Sequence, residues 1–195
     1  MENFPVIEVV SIIVTVFVTW LSTKLYYQKL EKKAKEVIRS YETIPLRDQY
    51  YMTNLLSLKI KQNKFIPDAI FSISPGGNMI GEWLSRKFIG NQSKPIILHN
   101  LWMEAKRGDE GQHLTFPEPC GSFPNNGNSY QKILLVNDIS RSGRTLEIAT
   151  RYMKQHFPHS EINTAVLFMS SDSSPPYPNY WIDKPHRRVE FEWKV

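Results

Sequence analysis

Cysteine is nearly absent from this sequence: Cys120 stands alone among 195 residues. No disulfide can close within the chain, which fits a cytosolic domain. Cys120 also has no adjacent His or basic residue to activate it, so it reads as an inert thiol. Metal-ligand patterns are missing as well. Of five histidines, His156 and His159 are close together, but no further ligands follow at suitable spacing, which argues against a structural zinc. There is no Walker A sequence, no dinucleotide glycine fingerprint and no internal repeat, so two familiar signatures of nucleotide binding are set aside.

What is present begins with an apolar run from Pro5 to about Tyr26, with Glu8 near one end and Lys24 near the other. About 20 residues at roughly 1.5 Å each span a hydrocarbon core of about 30 Å, and Trp20, Tyr26 and Tyr27 suit its interface. The net charge of +5 is unevenly spread, because Lys24, Lys29, Lys32, Lys33, Lys35 and Arg39 crowd beside this run. That placement favours a membrane surface over nucleic acid. Acidic residues come before the run and lysines after it, the reverse of a cleaved signal peptide. The expected organisation is a single-pass transmembrane anchor over residues 1–27, a juxtamembrane helix or linker over 28–43, and a cytoplasmic domain over 44–195. Asn91-Gln92-Ser93 matches a glycosylation acceptor, which the cytoplasmic side would leave silent.

Within the domain the pattern is α/β. Leu46 to Lys61 reads as a helix, Ile66 to Ser72 as a short strand, and Ser72 to Phe88 as a glycine loop followed by helical spacing at Met79, Ile80, Trp83, Leu84 and Phe88. Gly76 and Gly77 permit a tight turn with close backbone approach. Lys94 to Leu98 supplies another strand, and Ala105 to Tyr130 is a long segment rich in Gly, Pro and Asn with little periodicity. Ile162 to Met169 reads as a further strand, Ser170 to Pro178 as a Pro-rich loop, and Val189, Phe191 and Trp193 alternate as a strand would.

The most informative stretch is Lys132 to Leu146, KILLVNDISRSGRTL. Ile133 to Val136 is a continuous apolar run with β-branched residues, suited to a central parallel strand buried on both faces. Asn137 and Asp138 then fall at its carboxyl end, where open α/β sheets hold their ligands. Ser140 to Thr145 follows, leading into Leu146, Ala149, Tyr152 and Met153 on one helix face. A strand, a loop and a helix start in this order bring backbone N–H groups toward an anion, and Ser142 and Thr145 add hydroxyl donors.

This segment resembles the signature of type I phosphoribosyltransferases. The resemblance covers residues 66–195 and is strong at 132–146. It implies an α/β domain with a central, mainly parallel sheet flanked by helices, here preceded by one transmembrane helix. By position, Asn137 and Asp138 would face the ribose hydroxyls of phosphoribosyl pyrophosphate (PRPP), and Ser140, Arg141, Ser142, Gly143, Arg144 and Thr145 its 5′-phosphate. Ser74, Pro75, Gly76 and Gly77 would form the pyrophosphate loop. Trp181, Ile182 and Asp183 are similar to the base pocket of the xanthine-guanine branch, and the flexible loop that covers the reacting centre would lie between Ala105 and Tyr130. Magnesium is the implied cofactor, with Asp138 as its ligand.

Three departures bear on turnover. Asn137 replaces the first carboxylate of the usual acidic pair, Arg141 stands where many members carry an acid, and Pro75 replaces a frequent Arg. A base-reading Lys expected after the preceding strand gives way to Ser170 or Ser171. The resemblance therefore implies a membrane-anchored protein that binds PRPP or a nucleotide phosphate, with Asp138 as the catalytic group if phosphoribosyl transfer to a nitrogen base occurs. The alternatives are a non-catalytic nucleotide sensor and a membrane effector. No nucleic acid is expected as partner, and a homo-oligomer is left open.

Overall fold

A computed structural model describes residues 6–40, 43–88, 96–103, 106–107, 114–115, 130–171, 173–185 and 189–192. Cys120, the Asn91 to Ser93 acceptor and Trp193 lie outside these residues. The elements are α1 (Val6–Ser40), β1 (Thr43–Ile44), α2 (Leu46–Gln62), β2 (Ala69–Ser74), α3 (Asn78–Phe88), β3 (Ile97–Trp102), β4 (Lys106–Arg107), β5 (Leu114–Thr115), β6 (Lys132–Ser140), α4 (Arg144–His156), β7 (Glu161–Met169) and β8 (Glu190–Phe191).

The main sheet has the order β3-β2-β6-β7 and all its neighbours are parallel. Parallel neighbours require crossovers, which α3 and α4 provide. Because side chains alternate along a strand, β6 feeds two cores at once. Leu134 and Val136 join Ile80, Leu84 and Phe88 of α3 and Leu56 and Ile60 of α2. Ile133 and Leu135 join Leu146, Ala149 and Met153 of α4. Burial on both faces is why the apolar run is continuous. The strand continues past that run to Ser140, so Asn137 and Asp138 lie within its last residues.

Boundaries shift by a few residues elsewhere, as with β3, which begins at Ile97 rather than Lys94. Two differences concern architecture. The last strand pairs with β1 outside the main sheet, Thr43 opposite Glu190 and Ile44 opposite Phe191, and the segment after Ala105 contains an antiparallel pair, β4 with β5. In the first case the partner strand is only two residues long, too short to leave a periodic signal.

The transmembrane helix expected over residues 1–27 is not supported. Among the described residues no helix is long and apolar enough to cross a membrane. The side chains of residues 1–14 lie outside those described, and from Thr15 onward α1 mixes apolar residues with Thr19, Ser22, Thr23 and Lys24 and then turns basic. The helix itself runs unbroken for 35 residues, through the expected juxtamembrane linker.

Candidate functional site

The carboxyl ends of β2, β6 and β7 lie side by side, and each carries a loop. After β2 the chain turns through Pro75, Gly76 and Gly77 into α3, with the Gly77 N–H donating to the Ile73 carbonyl at 2.7 Å and the Ser74–Pro75 peptide cis. A Cβ at Gly77 would collide with the backbone carbonyl of Val136. The turn is held from below by hydroxyls and amides: Ser74 Oγ donates to Asn78 Oδ1 at 2.6 Å, and Ser72 Oγ donates to Asn100 Oδ1 at 2.6 Å.

Gly76 brings this loop onto β6. A Cβ built there would stand 2.7 Å from Asp138 Oδ1 and 2.9 Å from Asn137 Oδ1. Absence of a side chain therefore lets the backbone seat directly on the amide and carboxylate that the sequence singled out. Asp138 is 3% exposed, and its Oδ1 accepts the Ile139 N–H at 2.6 Å. Asn137 Oδ1 and Asp138 Oδ1 both face the Gly76 backbone; as hard oxygen donors they are of the type that suits magnesium when a ligand's phosphates complete its shell. Among the described residues no cluster of three His, Cys, Asp or Glu could hold a metal unaided.

The loop after β6 runs Ser140 to Gly143. Gly143 takes φ of 80°, a left-handed conformation open to glycine without strain, and so turns the chain into α4. That helix of 13 residues has no side-chain cap from Gly143, its first N–H, on Arg144, donates to Ser142 Oγ at a long 3.5 Å, and the positive end of its dipole faces the loop. Two hydroxyls flank it. Ser140 Oγ and Ser173 Oγ are buried without a hydrogen-bond partner, a condition that costs about 1–3 kcal/mol per group. Arg141 and Ser142 on the loop and Arg144 at the helix start are exposed, and Thr145 is half-buried.

Ser173 belongs to the third loop, after β7. Ser170 N–H donates to the Ser140 carbonyl at 2.8 Å and Ser173 N–H to the Ser170 carbonyl at 3.2 Å. A Cβ at Gly143 would lie 2.8 Å from the Ser174 carbonyl oxygen and 3.9 Å from Ser173 Oγ. The loop after β7 thus joins the phosphate loop at Gly143. Ser173 escaped the sequence reading because its partner is thirty residues back; the available signal was its place in a hydroxyl-rich loop at a strand's carboxyl end.

The expected base residues lie beside the last strand of the main sheet. Residues 180–183 run beside β7 as a broken edge strand, with Val166 N–H donating to the Tyr180 carbonyl at 2.9 Å and Met169 N–H to the Asp183 carbonyl at 3.1 Å. Tyr180 is level with Ala165 and Asp183 with Phe168 near the end of β7, and the Ile182 N–H donates to the Leu167 carbonyl at 3.0 Å, so Trp181 falls level with Val166, the partner of Asn137. Lys59 of α2 donates to the Trp181 carbonyl at 2.8 Å and holds its ammonium 4.9 Å from the ring centroid. Ile182 packs on the α2 and α3 side. Behind β2, His99 stacks on Phe71 at 4.7 Å and meets Tyr130 Oη at 2.8 Å. Burial holds the His99 pKa below its ordinary value and raises that of Tyr130.

This arrangement is the type I phosphoribosyltransferase fold. The chain is similar to a purine phosphoribosyltransferase of Pyrococcus horikoshii Ot3, with 22% identity, a TM-score of 0.59, and 78% of this chain and 94% of that one covered. It is similar to a Helicobacter pylori xanthine-guanine-hypoxanthine phosphoribosyltransferase, with 17% identity, a TM-score of 0.59 and coverage of 77% and 90%. A hypothetical protein from Neisseria gonorrhoeae with bound ppGpp also shares the fold, at 17% identity, a TM-score of 0.56 and coverage of 77% and 87%. No family model and no curated protein sequence matches the chain.

Proposed function

We propose that the crevice at the carboxyl ends of β2, β6 and β7 binds the ribose 5′-phosphate portion of PRPP or of a nucleotide. The observation that carries this is a pair of buried, unpaired hydroxyls, Ser140 at the end of β6 and Ser173 beside Gly143, the N-cap of α4. A phosphate can accept from both hydroxyls and from N–H groups of the loop and first helical turn, and its charge is favoured there. Arg141, Arg144 and Thr145 add donors, while Asn137 and Asp138 take the ribose hydroxyls. Gly76 lets the loop backbone approach a pyrophosphate, while the Gly77 N–H, bonded to the Ile73 carbonyl, fixes the turn.

Asp138 and Asn137 would hold magnesium arriving with the ligand, and the metal when bound neutralises charge on the pyrophosphate leaving group. The protein's own part in transfer would be to orient the ribose and, through Asp138, to favour positive charge developing at C1. A second reading, a binding protein without turnover, is favoured by Arg141, whose guanidinium stays protonated and cannot accept a proton from the attacking base. Calorimetry of the full chain with PRPP and Mg²⁺, followed by a pyrophosphate-release assay over a panel of bases, separates the readings. Binding with release supports transfer, binding without release supports the sensor, and no binding contradicts both.

We also propose that the front of α1 lies in lipid, with the domain on the cytoplasmic side. All residues from Thr15 to Tyr26 are exposed, and the apolar ones (Val16, Phe17, Val18, Trp20, Leu21, Leu25 and Tyr26) surround the helix. Its hydroxyls bond inward: Thr19 Oγ1 donates to the Thr15 carbonyl at 2.8 Å, and Thr23 Oγ1 to the Thr19 carbonyl at 2.7 Å. Internal satisfaction of this kind is what an apolar medium demands.

A further inference from the structure

The direction of α1 fixes which end of the sheet would meet a bilayer. The Lys33 ammonium lies 5.1 Å from the Tyr51 ring centroid, and a cleft of about 220 Å³ is lined by Tyr27 and Glu31 on one side and Leu55, Leu58, Lys59 and Gln62 on another. Falling numbers on α1 match rising numbers on α2, so the two helices are antiparallel. The end of α2 returns within a few residues to the start of β2, and Asp68 there accepts the N–H groups of Gln131 and Lys132, both at 2.9 Å. Glu161 N–H donates to the Gln131 carbonyl at 2.8 Å. The amino ends of β2, β6 and β7 are thus level with the foot of α2. Residues 15–26 of α1 project past this edge, by about 18 Å at roughly 1.5 Å per residue.

The edge itself is basic. Lys64, Lys154, His156 and His159 are exposed on it and Lys132 is half-exposed, against the acids Asp68 and Glu161. The Asp68 carboxylate is already turned inward to two backbone donors. Lys61 is directed aside, donating to the Lys87 carbonyl at 2.7 Å.

We propose that the amino edge of the sheet, carrying Lys64, Lys132 and Lys154, is a docking surface for an anionic lipid bilayer entered by α1. The phosphate crevice then opens on the opposite side, away from the membrane. This rests on the lipid placement of α1 and goes beyond it, because an anchored domain could tumble freely or lie on a helical face. The nine-residue β6 at about 3.3 Å per residue holds the crevice about 30 Å from that edge. Cationic side chains are attracted to an anionic leaflet within about a Debye length, so the upright pose is favoured only where anionic lipid is present. The crevice so placed receives its ligand from water, as a soluble phosphate ester.

The test uses the full chain with Cys120→Ser, carrying one dye at Gln131→Cys on the amino edge or at Arg141→Cys, on phosphatidylcholine vesicles with and without about 30% phosphatidylserine and an acceptor on the headgroups. Flotation reports anchoring. Energy transfer should be several-fold greater from position 131 than from 141, and the difference should shrink without phosphatidylserine. Flotation with equal or reversed transfer overturns the docking surface and leaves the anchor standing. Failure to float overturns the anchor, and the docking surface with it.

Discussion

The backbone of Gly76 rests on the side chain of Asp138, with the position of a missing Cβ 2.7 Å from the carboxylate oxygen. This contact joins the loop after β2 to the end of β6 and makes one crevice of two sequence motifs. Gly76→Ala should displace the Asp138 and Asn137 side chains, which can rotate, so its cost in stability should be about 1 kcal/mol. Its cost in PRPP affinity should be larger, tenfold or more. Gly77→Ala meets the fixed carbonyl of Val136 and should lower the melting temperature well beyond Gly76→Ala. Thermal unfolding and calorimetry on both variants check the ordering.

Asp138→Asn should weaken binding of ribose 5-phosphate several-fold, because a carboxylate accepts from hydroxyls more strongly than an amide. Thr145→Val, nearly isosteric, should weaken it through the phosphate instead. Inorganic phosphate separates the two effects: its affinity should fall in Thr145→Val and hold in Asp138→Asn. Affinities equal to the parent in both variants would place the ligand elsewhere.

His99 gives a signature in stability. Burial lowers its pKa in the folded chain, so the unfolded chain binds the proton first as pH falls. Stability present above the ordinary histidine value of about 6.5 should therefore decline as pH drops through the folded pKa. The ring is half-buried, and the water that reaches it keeps the slope shallow. His99→Phe preserves the stacking on Phe71 and should flatten the decline. Denaturant midpoints between pH 7.5 and 5 measure it.

Much of this crevice is legible in the sequence because it is local. The apolar run of β6, the polar residues after it and the helix spacing from Leu146 all fall within Lys132 to Met153, and Gly76 with Gly77 announce a tight turn by themselves. The third loop is not local. Ser173 reaches the phosphate loop through the parallel pairing of β6 with β7 and the contact at Gly143, neither of which leaves a mark at residue 173. Trp181 shows the same limit: its level beside β7 and the Lys59 contact across 122 residues depend on how the edge strand pairs. The pairing of β1 with β8, two residues on each side, is too short for any periodicity to show.

The hydroxyls of Ser140 and Ser173 supply the sharpest test of the phosphate site. Removing a buried hydroxyl that has no partner should leave the unliganded domain as stable as before, or slightly more so. Removing one that meets a phosphate should cost affinity. The decisive measurement is calorimetric titration of the full chain and of its Ser140→Ala/Ser173→Ala variant with ribose 5-phosphate. The account expects binding by the parent chain and at least tenfold weaker binding by the variant, with an unchanged or higher melting temperature. Undiminished affinity in the variant, or no binding by the parent chain, would contradict it.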